Sequence, residues 1–117
     1  MVAGSLREID GVWAAARSVE VCPVRPDERV RAVVVGDAAE IAELAGLLEV
    51  AGTLGGFVCM CRGDVTFTVR GERGAVLGVL TWHLGSGLDW SAWGGQRPLA
   101  RPAELTRWLV ERRIIGP

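Results

Sequence analysis

The sequence predicts an α+β domain: a mainly antiparallel sheet with two or three helices packed against it. Three observations carry that expectation. Several stretches combine helix-start chemistry with apolar residues at helical spacing. The stretch from Asp64 to Arg70 alternates apolar and polar residues strictly and runs into a glycine-rich turn. The order is helix, two strands, helix, a run of strands, then a last helix, which suits helices laid on an antiparallel sheet. At 117 residues the chain fits one domain, 1–117.

The elements follow in order. Ser5-Leu-Arg-Glu8 has the capping-box pattern, and Ile9, Val12, Trp13 and Ala16 continue at helical spacing, weakened by Gly11. Arg17 to Cys22 alternates, with Val19 and Val21 on one face, until Pro23 and Pro26 break it into a loop. Val30 to Val35 is short and β-branched, so it reads as a strand. Asp37 to Val50 is the best-marked helix: Asp37 caps it, Glu40 completes a capping-box-like pair, and Ile41, Leu44, Ala45 and Leu48 form one stripe. Gly52 stops it.

From Phe57 to Trp93 the pattern is that of strands. Val65, Phe67 and Val69 face one way, Thr66 and Thr68 the other. Gly71 to Gly74 makes a hairpin turn, Ala75 to Leu84 returns, Gly85 to Gly87 turns again, and Leu88 to Trp93 is a further strand. Gly94, Gly95 and Pro98 mark a loop. Pro102 begins the last helix, whose buried stripe is Leu105, Trp108 and Leu109; Arg112 and Arg113 suit its negative end.

The first hairpin leaves two registers open. A symmetric turn pairs Val69 with Val76 and Val65 with Leu80, collecting Val76, Leu80, Trp82 and Leu84 on the Val65/Phe67 face. A left-handed bulge at Gly74 slips the pairing by one and brings His83 to that face instead. The first register makes the more apolar core and is preferred.

Composition narrows the classes. Half the residues are apolar and the net charge is −1, which argues against nucleic acid as a partner. The longest apolar run is far shorter than the ~20 residues that span a bilayer, and no export signal is visible, so no membrane partner and a cytoplasmic setting are expected. All 13 basic residues are Arg, which fits a GC-rich genome. The three cysteines are read as free thiols.

Three constellations could carry chemistry. Cys59 and Cys61, two apart on a strand, point the same way and could share a zinc ion with His83 and Cys22. The alternative is small buried hydrophobes and an ordinary histidine, and the preferred register puts His83 on the opposite face from Cys61. His83 could instead face Asp89 across the second turn, where the carboxylate would orient the imidazole. Ser91 or a cysteine could then serve as nucleophile, but no strained nucleophile turn is present. In that same register Trp82 pairs with Trp90. Trp93, three residues on, points away from Trp90, leaving it near Arg97 and Arg101. Trp and Arg together are frequent interface anchors; the competing account packs Trp93 on Trp108.

The stretch Cys59-x-Cys61-x-Gly63-Asp64, then His83-x-Gly85-x-x-Leu88-x-Trp90-x-x-Trp93-x-Gly95, with Trp108-Leu109 near the end, resembles a group of small actinobacterial and related bacterial proteins. The resemblance covers about the second half of the chain. It implies no activity, groups Cys59, Cys61, His83 and Trp90, and fits a bacterial cytoplasmic setting. The chain departs from that pattern at Asp89, where the group carries a basic residue, and at Gln96, where it carries an acidic one.

The expected function is a non-enzymatic protein-binding or accessory protein, a regulatory or immunity-type partner. Trp93, Arg97 and Arg101 would bind another protein or a second copy of the chain, without a cofactor. The alternative is a small zinc-binding or thiol-dependent enzyme using Cys59, Cys61 and His83.

Overall fold

The computed structural model describes residues 3–24, 32–50, 64–83, 87–90 and 95–115; the side chains of residues 3–8, 90 and 95–97 lie outside that description. The chain forms an α+β fold. In order the elements are α1 (Ala3–Ala15), β1 (Ser18–Pro23), β2 (Val33–Val35), α2 (Ala38–Leu47), β3 (Val65–Arg70), β4 (Val76–His83), β5 (Gly87–Trp90), β6 (Gly95–Arg97) and α3 (Pro102–Glu111). The six strands of the described residues make one sheet in the order β2-β1-β3-β4-β5-β6, and every neighbouring pair is antiparallel.

Strand alternation sorts the sheet into two unlike faces. Val19, Val21, Val35, Val65, Phe67, Val69, Leu80, Trp82 and Leu88 are buried together with Ile9 of α1, Ile41 and Leu44 of α2, and Leu105, Trp108 and Leu109 of α3. All three helices therefore contribute to the core on one face. The opposite face carries Val34, Glu20, Cys22, Thr66, Thr68, Val79 and Thr81, each half-buried or exposed.

The helix starts follow the expected chemistry. Asp37 stays extended (φ −83, ψ 132) and its Oδ2 accepts from the Glu40 N–H at 3.1 Å. Pro102 stands in the first turn of α3, where its missing N–H costs nothing. The end of α2 comes earlier than Gly52: Glu49 and Val50 turn to the segment before α3, with Val50 bridging Leu99 and the Ala100 N–H donating to the Glu49 carbonyl at 2.9 Å. Helix α3 closes without glycine. Arg113 takes φ 58, its N–H donates to Val110, and the Ile114 N–H reaches back to Leu109, both at 3.0 Å. That is the Schellman pattern, sealed by the fully buried Ile114.

Neither expected hairpin register is the observed one. From Val65↔Trp82 to Val69↔Gly78 the ladder runs two residues away from the symmetric arrangement, and it shifts between Val69 and Arg70, which pairs Val76. The extra residue is Leu77, a bulge. Arg73 and Gly74 are both left-handed (φ 59 and 76), so the glycine conformation belongs to the bulged-turn alternative. A two-residue slip preserves facing, so Leu80 and Trp82 still enter the core beside Phe67 and Val65, but Val76, on the other side of the bulge, pairs Arg70 and is exposed on the opposite face instead of joining them. Gly71 makes room for the bulge: a Cβ there would meet three Leu77 side-chain atoms at 3.1–3.3 Å.

The second hairpin is also displaced by two residues, in the opposite sense. Gly87 is already strand, so His83 pairs Gly87, Thr81 pairs Asp89 and Leu80 pairs Trp90. Trp82 is opposite Leu88 and not Trp90. The strand β6 falls where a loop was expected: Gly95-Gln-Arg97 pairs with β5 although it has no apolar alternation.

Candidate functional site

The helix-free face presents a row of side chains set level across four strands. Cys22 on β1 pairs Thr66 on β3, Thr66 pairs Thr81 on β4, and Thr81 pairs Asp89 on β5. The Thr66 hydroxyl donates to the Cys22 carbonyl at 3.3 Å. Beside this row Glu20 accepts from Arg70 Nη2 at 3.3 Å, while Arg70 Nη1 holds the Gly74 carbonyl at 3.1 Å, tying the first hairpin to β1. Val34, Val76 and Val79 belong to the same face and are 68%, 55% and 44% exposed.

The Cys22 thiol donates toward Glu20 Oε2 at 3.8 Å. Burial pushes the thiol up from its ordinary value, and the Glu20 charge and the hydrogen bond to it push the same way. Each favours the protonated, unreactive form.

His83 closes one end of the face. It is 4% exposed, and its Nε2 stands 4.0 Å from Asp89 Oδ2. The expected direct cross-strand pair is thus a diagonal one, with His83 opposite Gly87. Diagonal neighbours on one face still fall within reach of long side chains.

The proposed zinc set falls only in part on described residues. Cys22 lies on β1 and His83 on β4, with β3 between them. Cys22 is level with Thr81, and His83 is two residues further along β4, so the two stand apart on the helix-free face. Among the described residues no group of three His, Cys, Asp or Glu side chains is placed to hold an ion. Cys59 and Cys61 lie outside the described residues, as do Ser91 and Trp93.

Arg97 is on β6, opposite Leu88, with its side chain outside the described set. Arg101 immediately precedes α3 and is half exposed, with Nη2 at 3.6 Å from Glu49 Oε2. That pair reinforces the contact between the end of α2 and the start of α3.

Two features had no sequence signal. Trp108 donates its indole N–H to Glu43 Oε1 at 3.1 Å, and Arg112 lies over the same ring at 4.0 Å while reaching Glu40 and Glu43 at 3.5 and 3.8 Å. This cluster clamps α2 to α3. Two hollows of about 490 and 620 Å³ flank Trp13 between α1 and α2, sharing Asp10 and Ala45. Both hollows lie between helices and not between sheet and helices. No described helix is long and apolar enough to cross a membrane.

Compared with protein-family models, curated proteins and solved structures, the chain finds no match.

Proposed function

We propose that this chain is a non-enzymatic accessory protein, a regulatory or immunity-type partner in the bacterial cytoplasm, that binds another protein on the helix-free face of its sheet. One observation carries the reading: among the described residues the helices all lie on one side of the sheet, and exposed valines stand among threonines on the other. Exposed apolar groups rimmed by polar ones are the usual signature of a protein-binding surface. The face runs from β2 to β6, where Gln96, opposite Asp89, holds the helix-free register; Arg97, opposite Leu88, holds the register of the helix-covered side. Arg101 contributes less than its sequence context suggests, because it is engaged with Glu49.

The test is co-purification of the chain with the products of its neighbouring genes, followed by titration of whichever binds. Val79→Arg should weaken that complex at least about tenfold while leaving the unfolding midpoint within about 0.5 kcal/mol, since Val79 is exposed. Trp93→Ala should weaken it with the midpoint likewise unchanged. Stoichiometric zinc in the purified chain, with a midpoint that falls on chelation, would sink this reading in favour of the metal-dependent enzyme.

A further inference from the structure

Of the two hollows beside Trp13, the one of about 490 Å³ is lined by charge of a single sign. Ile9 and Leu48, both buried in the core, give it an apolar floor, and the half-buried Trp13 borders it. Its charged residues are Asp10 and Glu49, two exposed carboxylates. Glu49 is shared with Arg101 at 3.6 Å, whereas Asp10 has no ion pair among the described residues. The neighbouring hollow of about 620 Å³ has Arg17 as well as Asp10 in its lining, so charge selects no ligand there.

Gly46, inside α2, lies in the same lining. Among the described residues nothing stands within 4 Å of the Cβ that it lacks, and its φ is not positive. Neither packing nor backbone conformation therefore calls for glycine, which lowers a helix's stability relative to alanine. What the missing side chain leaves is room. The volume falls within the roughly 300–1,000 Å³ of small-ligand sites.

We infer that this hollow binds a small organic ammonium, with its apolar body on Ile9 and Leu48 and its charged head between Trp13 and the carboxylates of Asp10 and Glu49. An aromatic ring beside carboxylates attracts an organic cation. An anion would meet two like charges, and a strongly hydrated inorganic cation would gain nothing from the apolar floor. The hollow lies on the helix-covered side of the sheet, so its occupancy does not depend on what the helix-free face binds.

Titration of the full chain at low ionic strength, followed by amide NMR, tests this with three probes of similar shape: phenethylammonium, 2-phenylethanol and 3-phenylpropionate. The ammonium should saturate with a dissociation constant below about 1 mM, shifting amides of residues 9–13 and 45–50. The alcohol should bind at least about fivefold more weakly, and the carboxylate should not saturate. Asp10→Asn should bring the ammonium down to the level of the alcohol and leave the alcohol within about twofold. Gly46→Leu should fill the hollow and abolish both, with an unfolding midpoint no lower than that of the unaltered chain. Failure of the ammonium to saturate by about 10 mM overturns the inference. So does equal binding of ammonium and alcohol, an Asp10→Asn chain that binds the ammonium as before, or shifts centred on other residues.

Discussion

Trp108 on α3 donates its indole N–H to Glu43 on α2 at 3.1 Å, and this bond fixes how the two helices meet over the sheet. The ring is otherwise buried against the core. Arg112, one turn on, lies over it and reaches the carboxylates of Glu40 and Glu43. A Trp–Arg cluster can thus be an internal clamp as well as an interface anchor.

Truncating that residue separates packing from hydrogen bonding. Trp108→Ala should cost about 3–5 kcal/mol, from the lost ring volume. Trp108→Phe, which keeps most of the ring and loses the donor, should cost about 1 kcal/mol. Urea unfolding of the two variants checks this; equal losses would mean that Glu43 contributes nothing.

Arg113 closes α3 in the left-handed conformation, where an L side chain is strained. Glycine adopts that conformation freely. Arg113→Gly should therefore stabilise the fold by about 0.5–1 kcal/mol, offset in part by the greater freedom of the unfolded chain. A lower thermal midpoint would show that the Arg113 side chain contributes more than its backbone costs.

The first hairpin makes the opposite prediction for its own glycines. Gly74→Ala places a methyl group on a left-handed residue, and Gly71→Ala pushes one against Leu77. Each should destabilise by about 1 kcal/mol. If Gly71→Ala is neutral, Leu77 moves aside without loss of packing.

Cys22 should alkylate slowly, and its rate should rise with pH only above the range of a free thiol, because a raised value leaves less thiolate at any given pH. Glu20→Gln removes the neighbouring charge and should shift the rate profile to lower pH. Burial is the larger cause and remains, so the shift should be partial. Peptide mapping after timed alkylation distinguishes Cys22 from the other two cysteines. An unchanged profile would mean that Glu20 has no influence on the thiol.

How much of this was legible in the sequence depends on how local each signal is. The cap at Asp37, the start at Pro102 and the alternation from Val65 to Val69 are written within a few residues of where they act. The core faces of β1, β3 and the part of β4 beyond the bulge follow from those patterns; Val76, before the bulge, faces the other way. Register is less local. It depends on where a turn gives way to strand, and neither the bulge at Leu77 nor the early start of β5 at Gly87 has a distinctive residue type. Strand β6 escaped notice because pairing with β5, and not its own apolar pattern, makes Gly95–Arg97 a strand. The diagonal placing of His83 and Asp89 follows from register and was missed with it. The Glu43–Trp108–Arg112 cluster joins residues 65 positions apart and no spacing rule reaches across that distance.

The bulge at Leu77 makes β4 unequally tolerant of losing a residue. Deleting Leu77 would bring Val76 next to Gly78 and leave Arg70↔Val76 and Val69↔Gly78 as they are, now in one unbroken ladder. Deleting Val79 or Thr81 instead would turn one end of the strand over, exchanging Trp82 for a polar neighbour in the core. Length variation along this strand should therefore collect at position 77, the one place where a residue can be gained or lost without exchanging the inside of the molecule for its outside.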